Sequence, residues 1–425
     1  MRIVKYPQPN EWKQLLARAA TANDNVLEKV KSILEEVKKN GDKALKRFAK
    51  KWDNAELTEL QVTKEEMEEA VTLVSEELKE AIQQAAKNIE KFHSRQMFKE
   101  ELVETTPGIV CWRKAVPIEK VGLYIPGGNA PLFSSLLMMG IPAIIAGCRR
   151  IVLCTPPTKE GKINPAILYT ASLIGIAEIY KTGGAQAIAA MAFGTESIPA
   201  VNKIFGPGNN FVTAAKQLVQ QYGVAIDMPA GPSEVLVLAD ETANAGFAAA
   251  DLLSQAEHGA DSQAILVTTE EELALQVQNE LQQQLSNLSR KELATPSLSN
   301  SLIIITKNFA EAIELVNEYA PEHLIINCRF ADVIAEKIVN AGSVFIGAYT
   351  PEAAGDYASG TNHVLPTNGF AKAYSGLSIE SFVKKISFQK ISAEGLKIIS
   401  STIITMAEAE GLDAHANAIK IRSNV

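Results

Sequence analysis

Histidine occurs five times in this chain, and four of those positions lie in polar stretches punctuated by glycine or proline. They are Gln255-Ala-Glu-His258, Pro321-Glu-His323, Gly355-Asp-Tyr-Ala-Ser-Gly-Thr-Asn-His363 and Glu410-Gly-Leu-Asp-Ala-His415. Imidazole is the side chain best suited both to bind a metal and to move protons near neutral pH. So rare a residue, gathered with carboxylates, points to a hydrophilic metal or proton-transfer centre. His93, late in a charged helical stretch, stands outside that pattern.

The spacing of each stretch narrows its chemistry. Ala243 to His258 reads as a helix stopped by Gly259, the residue type that ends helices in the left-handed conformation. Asp251, Gln255 and His258 follow i, i+4, i+7 spacing and share one face. Gln255 and His258 therefore project from the last turn, where the negative end of the helix dipole favours a cation. A polar helix end facing solvent is the plain alternative. Asp251, one turn back, would stand behind the ligands. Asp356 sits between turn-forming glycines, where a loop carboxylate can reach a metal or substrate, or simply cap a turn. His363 reads as a hydrogen-bonded loop histidine, with ligation as the alternative.

Glu322 and His323 precede an apolar strand. Successive strand residues point to opposite faces, so the two share one cavity only if the chain is still irregular there. Pro321 supplies a reason for irregularity. An adjacent Glu–His pair can serve as acid and base. Two Gly-rich turns, Pro126-Gly-Gly-Asn-Ala-Pro131 and Gly206-Pro-Gly-Asn-Asn210, lead into helical segments and could seat a phosphate on backbone N–H groups. Neither fits G-x-G-x-x-G, so a dinucleotide fingerprint is absent.

The elements that must position these groups follow from periodicity. From Asn23 to about Met97 apolar residues recur at helical spacing, with Lys and Glu on the outer faces. After Pro107 short β-branched runs alternate with helical segments: Val121–Ile125, Arg150–Cys154, Glu178–Lys181, Val224–Ile226, Ser233–Ala239, Ala264–Thr268, Leu302–Ile305, Leu324–Ile326 and Ser343–Ile346. Strands alternating with helices imply parallel sheets covered on both faces. Their number exceeds one comfortable sheet, which predicts two α/β domains with a seam near Pro229-Ala-Gly-Pro232. The expected organisation is a helical N-terminal region over 1–106, α/β domains over 107–232 and 233–368, and a mainly helical C-terminal region over 369–425.

A length of 425 residues suits two or three domains, and 47% hydrophobic residues suffice for a large core. A net charge of −8 argues against nucleic-acid or anionic-membrane partners. The apolar stretch from Leu132 to Cys148 is short for a membrane span and contains Ser134, Ser135, Gly140 and Pro142, so it reads as a buried helix. The first residues lack an apolar signal core, and four cysteines without a CxxC pair read as free thiols. The expectation is a soluble, cytoplasmic protein.

Seven long motifs, in this order, carry a resemblance: GLYIPGGNAPLFSSLLMMGIPA, GGAQAIAAMAFGTESIP, KIFGPGNNFVT, AIDMPAGPSEVLVLAD, DLLSQAEHGADSQ, APEHLII and PEAAGDYASGTNHVLPT. Together they resemble the histidinol dehydrogenase family from about Lys120 to His415, while the N-terminal helices match only in character. The resemblance implies a zinc-requiring, NAD-dependent, four-electron oxidation of L-histidinol to L-histidine through histidinal. It implies Gln255, His258, Asp356 and His415 as ligands of one zinc per subunit, and Glu322 and His323 as proton acceptors. Substrate contacts would be Ser233, Gln255, His258, His323, Asp356, Glu410 and His415; NAD, the co-substrate, would meet Tyr124, Gln186 and Asn209.

The implied fold is two incomplete Rossmann-like, aldehyde-dehydrogenase-like domains in a homodimer with shared sites. Glu410 and His415 lie beyond the second α/β domain, and a tail of that kind can reach a partner's site. Two rivals remain. A thiol-dependent aldehyde dehydrogenase would need a thiolate, for which Cys148 beside Arg149 and Arg150 is the best candidate. A metal-binding relative without turnover would have no use for Glu322, His323 and the NAD positions.

Overall fold

Fourteen strands form among the described residues of the structure, a computed structural model that covers 1–18, 24–127, 131–229 and 231–423. In chain order they are β1 (Arg2–Lys5), β2 (Leu102–Thr106), β3 (Ile109–Pro117), β4 (Lys120–Tyr124), β5 (Arg150–Thr155), β6 (Glu178–Lys181) and β7 (Lys203–Phe205). There follow β8 (Ala225–Ile226), β9 (Glu234–Ala239), β10 (Gln263–Thr268), β11 (Leu302–Ile305), β12 (His323–Asn327), β13 (Ser343–Ile346) and β14 (Val383–Ile391).

Two of the three sheets are wholly parallel. The first runs β6-β5-β4-β7-β8 and the second β1-β11-β10-β9-β12-β13. Each carries helices on both faces, which is why β9, β10 and β11 are buried at every position and read as continuous apolar runs. On the first sheet, the Phe133–Ala146 and Glu76–His93 helices pack one face, and the Asp24–Phe48 and Gly184–Phe193 helices pack the other. On the second, the Ala245–Ala256 and Glu271–Asn287 helices oppose Phe309–Tyr319 and Trp12. The two predicted α/β sheets and all nine predicted strands are present, with ends shifted by a residue or two. The Leu132–Cys148 stretch is the core helix Phe133–Ala146, and no helix among the described residues is long and apolar enough to cross a membrane.

Four readings need correction. The N-terminal region is not helical throughout, because β1 pairs in parallel with β11 at the edge of the second sheet. The C-terminal region opens with β14, whose nine residues pair antiparallel with β3 in a separate sheet ordered β14-β3-β2. The helix from Asn244 ends at Ala256, before His258, and Gly259 does not adopt the left-handed conformation. Asp356 lies on a short helix, Glu352–Tyr357, and not on a loop. Of the seam, Ala230 lies outside the described residues, as do Asn23 and Gly128, Asn129 and Ala130 of the first Gly-rich turn.

Candidate metal and catalytic site

Asn244 starts the helix that carries Gln255: its side-chain oxygen accepts from the Phe247 N–H at 3.1 Å. Ala249, Leu252, Leu253 and Ala256 bury the helix against the second sheet. Gln255 is fully buried in the last turn, and neither its Nε2 nor its Oε1 has a partner among the described residues. Leaving a buried amide unpaired costs about 1–3 kcal/mol, which marks a group held for something else. His258 follows in the turn, its N–H donating to the Gln255 carbonyl at 3.2 Å. Its ring is exposed on one side, and burial by the wall on the other lowers its pKa despite Asp356.

The short helix brings a second set of donors. Gly355 lets it pack on β13, because a Cβ there would stand 2.6 Å from the Phe345 ring. Glu352 and Asp356, four residues apart, occupy one face. Ligand atoms of His258, Glu352 and Asp356 all lie within 4.8 Å of one another. Glu352 is 1% exposed, and neither of its carboxylate oxygens has a hydrogen-bond partner. Sequence reading missed it. Its i, i+4 relation to Asp356 was there to be used, but a helical interval says nothing in a segment taken for a loop. Asp251, buried behind this group, is pushed up to about 7 by desolvation.

Glu322 and His323 meet the cluster from β12. Ala320 takes a left-handed conformation at φ 53°, so the chain turns sharply into the strand, and Glu322 precedes its first residue. Both side chains then converge on the start of β9. Glu322 Oε2 accepts from the Glu234 N–H at 2.8 Å, and His323 Nδ1 lies 3.1 Å from the Glu234 carbonyl oxygen. Nδ1 is also 3.6 Å from Glu322 Oε2 and 3.6 Å from Glu352 Oε1. Nε2, free of hydrogen-bond partners, points to Asp356 Oδ1 at 3.6 Å. Desolvation pushes Glu322 up to about 8. For His323 desolvation acts downward, but Glu352, Glu322 and Asp356 outweigh it and raise the imidazole to about 10.

A cleft of about 970 Å³ lies at the carboxyl ends of the first sheet's strands, and Tyr124, Gln186 and Asn209 all line it. That is where open α/β sheets bind their ligands. The Tyr124 hydroxyl accepts from the Gly184 N–H at 3.0 Å, and burial pushes it up to about 12. Gly206, at φ 132°, is required because a Cβ would stand 2.1 Å from the Tyr124 carbonyl oxygen. In the Gly206 turn the Gly206 N–H donates to Asp227 Oδ2 at 2.8 Å, and Asn209 Oδ1 accepts from Phe211 and Val212, capping the Asn210–Val219 helix. The cap occupies the Asn209 oxygen, and the residue lines the cleft.

The remaining predicted positions divide. Ser233 immediately precedes β9, its carbonyl accepting from the Gln263 N–H at 3.1 Å. His363 is a strut: Nδ1 lies 2.8 Å from the Asp356 carbonyl oxygen and Nε2 3.0 Å from Ser135 Oγ on the first domain's helix. His93 is fully buried, with Asn362 at 3.4 Å. Cys148 is half-buried, donates to the Phe382 carbonyl, and is pushed up to about 11 by desolvation, so it is no thiolate at neutral pH. Glu410 and His415 are exposed, at the end of the Ala393–Ala409 helix and within Asp413–Ser423, and His415 does not join the cluster of its own chain.

The sequence pattern of the histidinol dehydrogenase family matches residues 16–423, which extends the likeness well into the N-terminal helices. The chain belongs to the histidinol dehydrogenase family. It is 58% identical over 424 residues to histidinol dehydrogenase of Bacteroides thetaiotaomicron, covering 100% of this chain and 99% of the relative. To the enzyme of Xylella fastidiosa strain Temecula1 it is 51% identical over 426 residues, covering 99% of each. The crystal structure of histidinol dehydrogenase from Elizabethkingia anophelis superposes with a TM-score of 0.97 at 55% identity, covering 99% of this chain and 98% of that one. Histidinol dehydrogenase is an NAD-dependent oxidoreductase acting at the final step of histidine biosynthesis, and this chain is a member with that function.

Proposed function

We propose that the protein oxidises L-histidinol to L-histidine in two steps through histidinal, using one zinc per subunit and two NAD in succession. The observation that carries this reading is the gathering of His258, Glu352 and Asp356 ligand atoms within 4.8 Å of one another, with His323 Nε2 3.6 Å from Asp356 Oδ1 and Gln255, Glu352 and His323 Nε2 buried without partners among the described residues. The donors are nitrogen and oxygen only, with no thiolate, which suits a borderline metal. Gln255, His258 and Asp356 would hold zinc together with His415 of a partner subunit. When bound, zinc would hold the substrate's imidazole and amine nitrogens and orient its alcohol, a gain of up to about 7–11 kcal/mol in well-aligned reactions.

The chain's own groups carry the protons. Of the acidic groups that keep the imidazole protonated here, Asp356 would give its charge to the metal; His323, donating from Nδ1 to the Glu234 carbonyl, would then present Nε2 as the acceptor of the hydroxyl proton while hydride passes to NAD. Glu322, ionised above about 8, takes a proton from the water that hydrates the aldehyde, and His323 acts again as the hydrate yields the second hydride. Ser233 and Glu410 complete the substrate contacts. In this reading residues 107–232 hold NAD at Tyr124, Gln186 and Asn209, residues 233–368 carry the metal and the proton acceptors, and 1–106 and 369–425 flank them. The enzyme works as a cytoplasmic homodimer. The exposed Leu102, Phe388, Ile398, Met406 and Ile421 of the C-terminal unit and its small sheet support a partner there.

Chelation tests the metal assignment. Metal-stripped protein should lose activity and regain it with zinc, and His258→Ala or Asp356→Ala should each lower both bound zinc and turnover. Full turnover in protein shown to hold no metal would end the proposal. Hydration also removes any need for a thiol. A variant with Cys111, Cys148, Cys154 and Cys328 all changed to Ala or Ser should keep turnover within about threefold of the parent, since Cys148 is held protonated. A folded, zinc-loaded variant that stalls at histidinal would restore thiol catalysis.

A further inference from the structure

Glu234 is the residue on which both proposed proton acceptors rest, its N–H on Glu322 and its carbonyl on His323. Its own side chain points elsewhere and is 2% exposed. There it meets Arg18, from the segment before the Asp24–Phe48 helix. The guanidinium grips the carboxylate with two parallel hydrogen bonds, from Nε to Oε1 and from Nη2 to Oε2, the latter at 2.9 Å. The Asn368 N–H adds a third bond to Oε1 at 2.7 Å. Nη2 of Arg18 also donates to the Tyr319 carbonyl at 2.8 Å, and the guanidinium lies 3.9 Å above the centre of the Tyr319 ring. Tyr319 stands just before the left-handed Ala320 and the Glu322–His323 pair, and its own hydroxyl is fixed on Gln263 at 2.8 Å.

One guanidinium therefore ties together the two backbone segments that aim the acceptors: the first residue of β9 and the lead-in to β12. We infer that Arg18 is a positioning residue for the reaction, setting the orientation of Glu322 and His323 through Glu234 and Tyr319. The planar fork matters as well as the charge, because a lysine ammonium cannot hold both carboxylate oxygens and the Tyr319 carbonyl in one plane. A misplacement of the order of 1 Å at the reacting groups costs about 100-fold in rate. This inference rests on the assignment of Glu322 and His323 made above.

A cavity of about 430 Å³ borders the clamp, lined by Trp12, Leu16, Arg18, Tyr319 and Asn368 among others, and it allows a chemical test. Arg18→Ala should fold and bind zinc at the assay temperature, keep KM for histidinol and NAD within about twofold, and lose at least about 10-fold in kcat for both half-reactions. Methylguanidine, small enough for the cavity and able to reform the fork, should restore part of kcat, whereas methylammonium at equal ionic strength should not. Arg18→Lys serves if the alanine variant does not fold, and should show the same kcat loss with KM spared. Full kcat per folded, zinc-loaded site in either variant, with only a lowered melting temperature, would mean that Arg18 is a structural tie and nothing more. Failure of the underlying assignment looks different: Glu322→Gln and His323→Asn would then themselves remain active.

Discussion

His323→Asn should lose about 10²–10⁴-fold in both oxidations, while Glu322→Gln should keep the first and lose the second. Each hydride transfer needs an oxygen-bound proton removed, and His323 Nε2 is the unpaired acceptor aimed at the metal cluster. Asparagine can still donate to the Glu234 carbonyl, so the variant removes the base without emptying the space around β9. Glutamine at 322 can still accept from the Glu234 N–H through its amide oxygen, which preserves the strand entry and deletes only the proton acceptor. Single-turnover measurements with histidinol and with added histidinal separate the two steps. A Glu322→Gln variant that loses alcohol oxidation and keeps aldehyde oxidation would overturn the division of labour.

Mixing two inactive proteins should restore activity. His258→Ala and His415→Ala subunits each leave a broken metal site in their own homodimers. If the tail serves the neighbouring site, each mixed dimer contains one site with both defects and one with none. Equal mixing with free exchange makes half the dimers mixed, so recovery should approach about one quarter of the parent activity. Were His415 to serve its own chain, every site would keep one defect. The exposed position of His415, away from His258, Glu352 and Asp356 of its own chain, favours recovery. No return of activity after demonstrated subunit exchange would place each site within a single chain.

The sequence disclosed what depends on near neighbours. Most of the nine predicted strands are largely buried, where β-branched runs are unmistakable; β8 and β13 are partly exposed and were still legible. The five that escaped notice are short or lie at edges or on exposed sheets: Arg2–Lys5 carries a charge at each end, Lys203–Phe205 has three residues, and β2, β3 and β14 mix charge with apolar side chains. At the site, Pro321 correctly signalled an irregular entry to β12, whereas the helical spacing read for Gln255 and His258 overran a helix that ends at Ala256. Glu352 escaped because its segment carries glycines and was taken for a loop, although Gly355 is there to let the helix approach Phe345. The pairing of Arg18 with Glu234 spans 216 residues and leaves no local trace. Nor could spacing place His415, which stands exposed on the Asp413–Ser423 helix.

The cleft that holds Tyr124, Gln186 and Asn209 is lined by residues between Lys29 and Phe211, all of them before β9 in the chain. The carboxylate and imidazole cluster, by contrast, gathers around the amino-terminal starts of β9 and β12. On the reading proposed above, a dinucleotide in the cleft and a substrate at the cluster would be gripped by different residues and meet only where hydride passes, so the first could be exchanged while the second stays bound. The proposed aldehyde would then be held away from the surrounding solution between its two oxidations, whatever the rate at which the dinucleotide comes and goes.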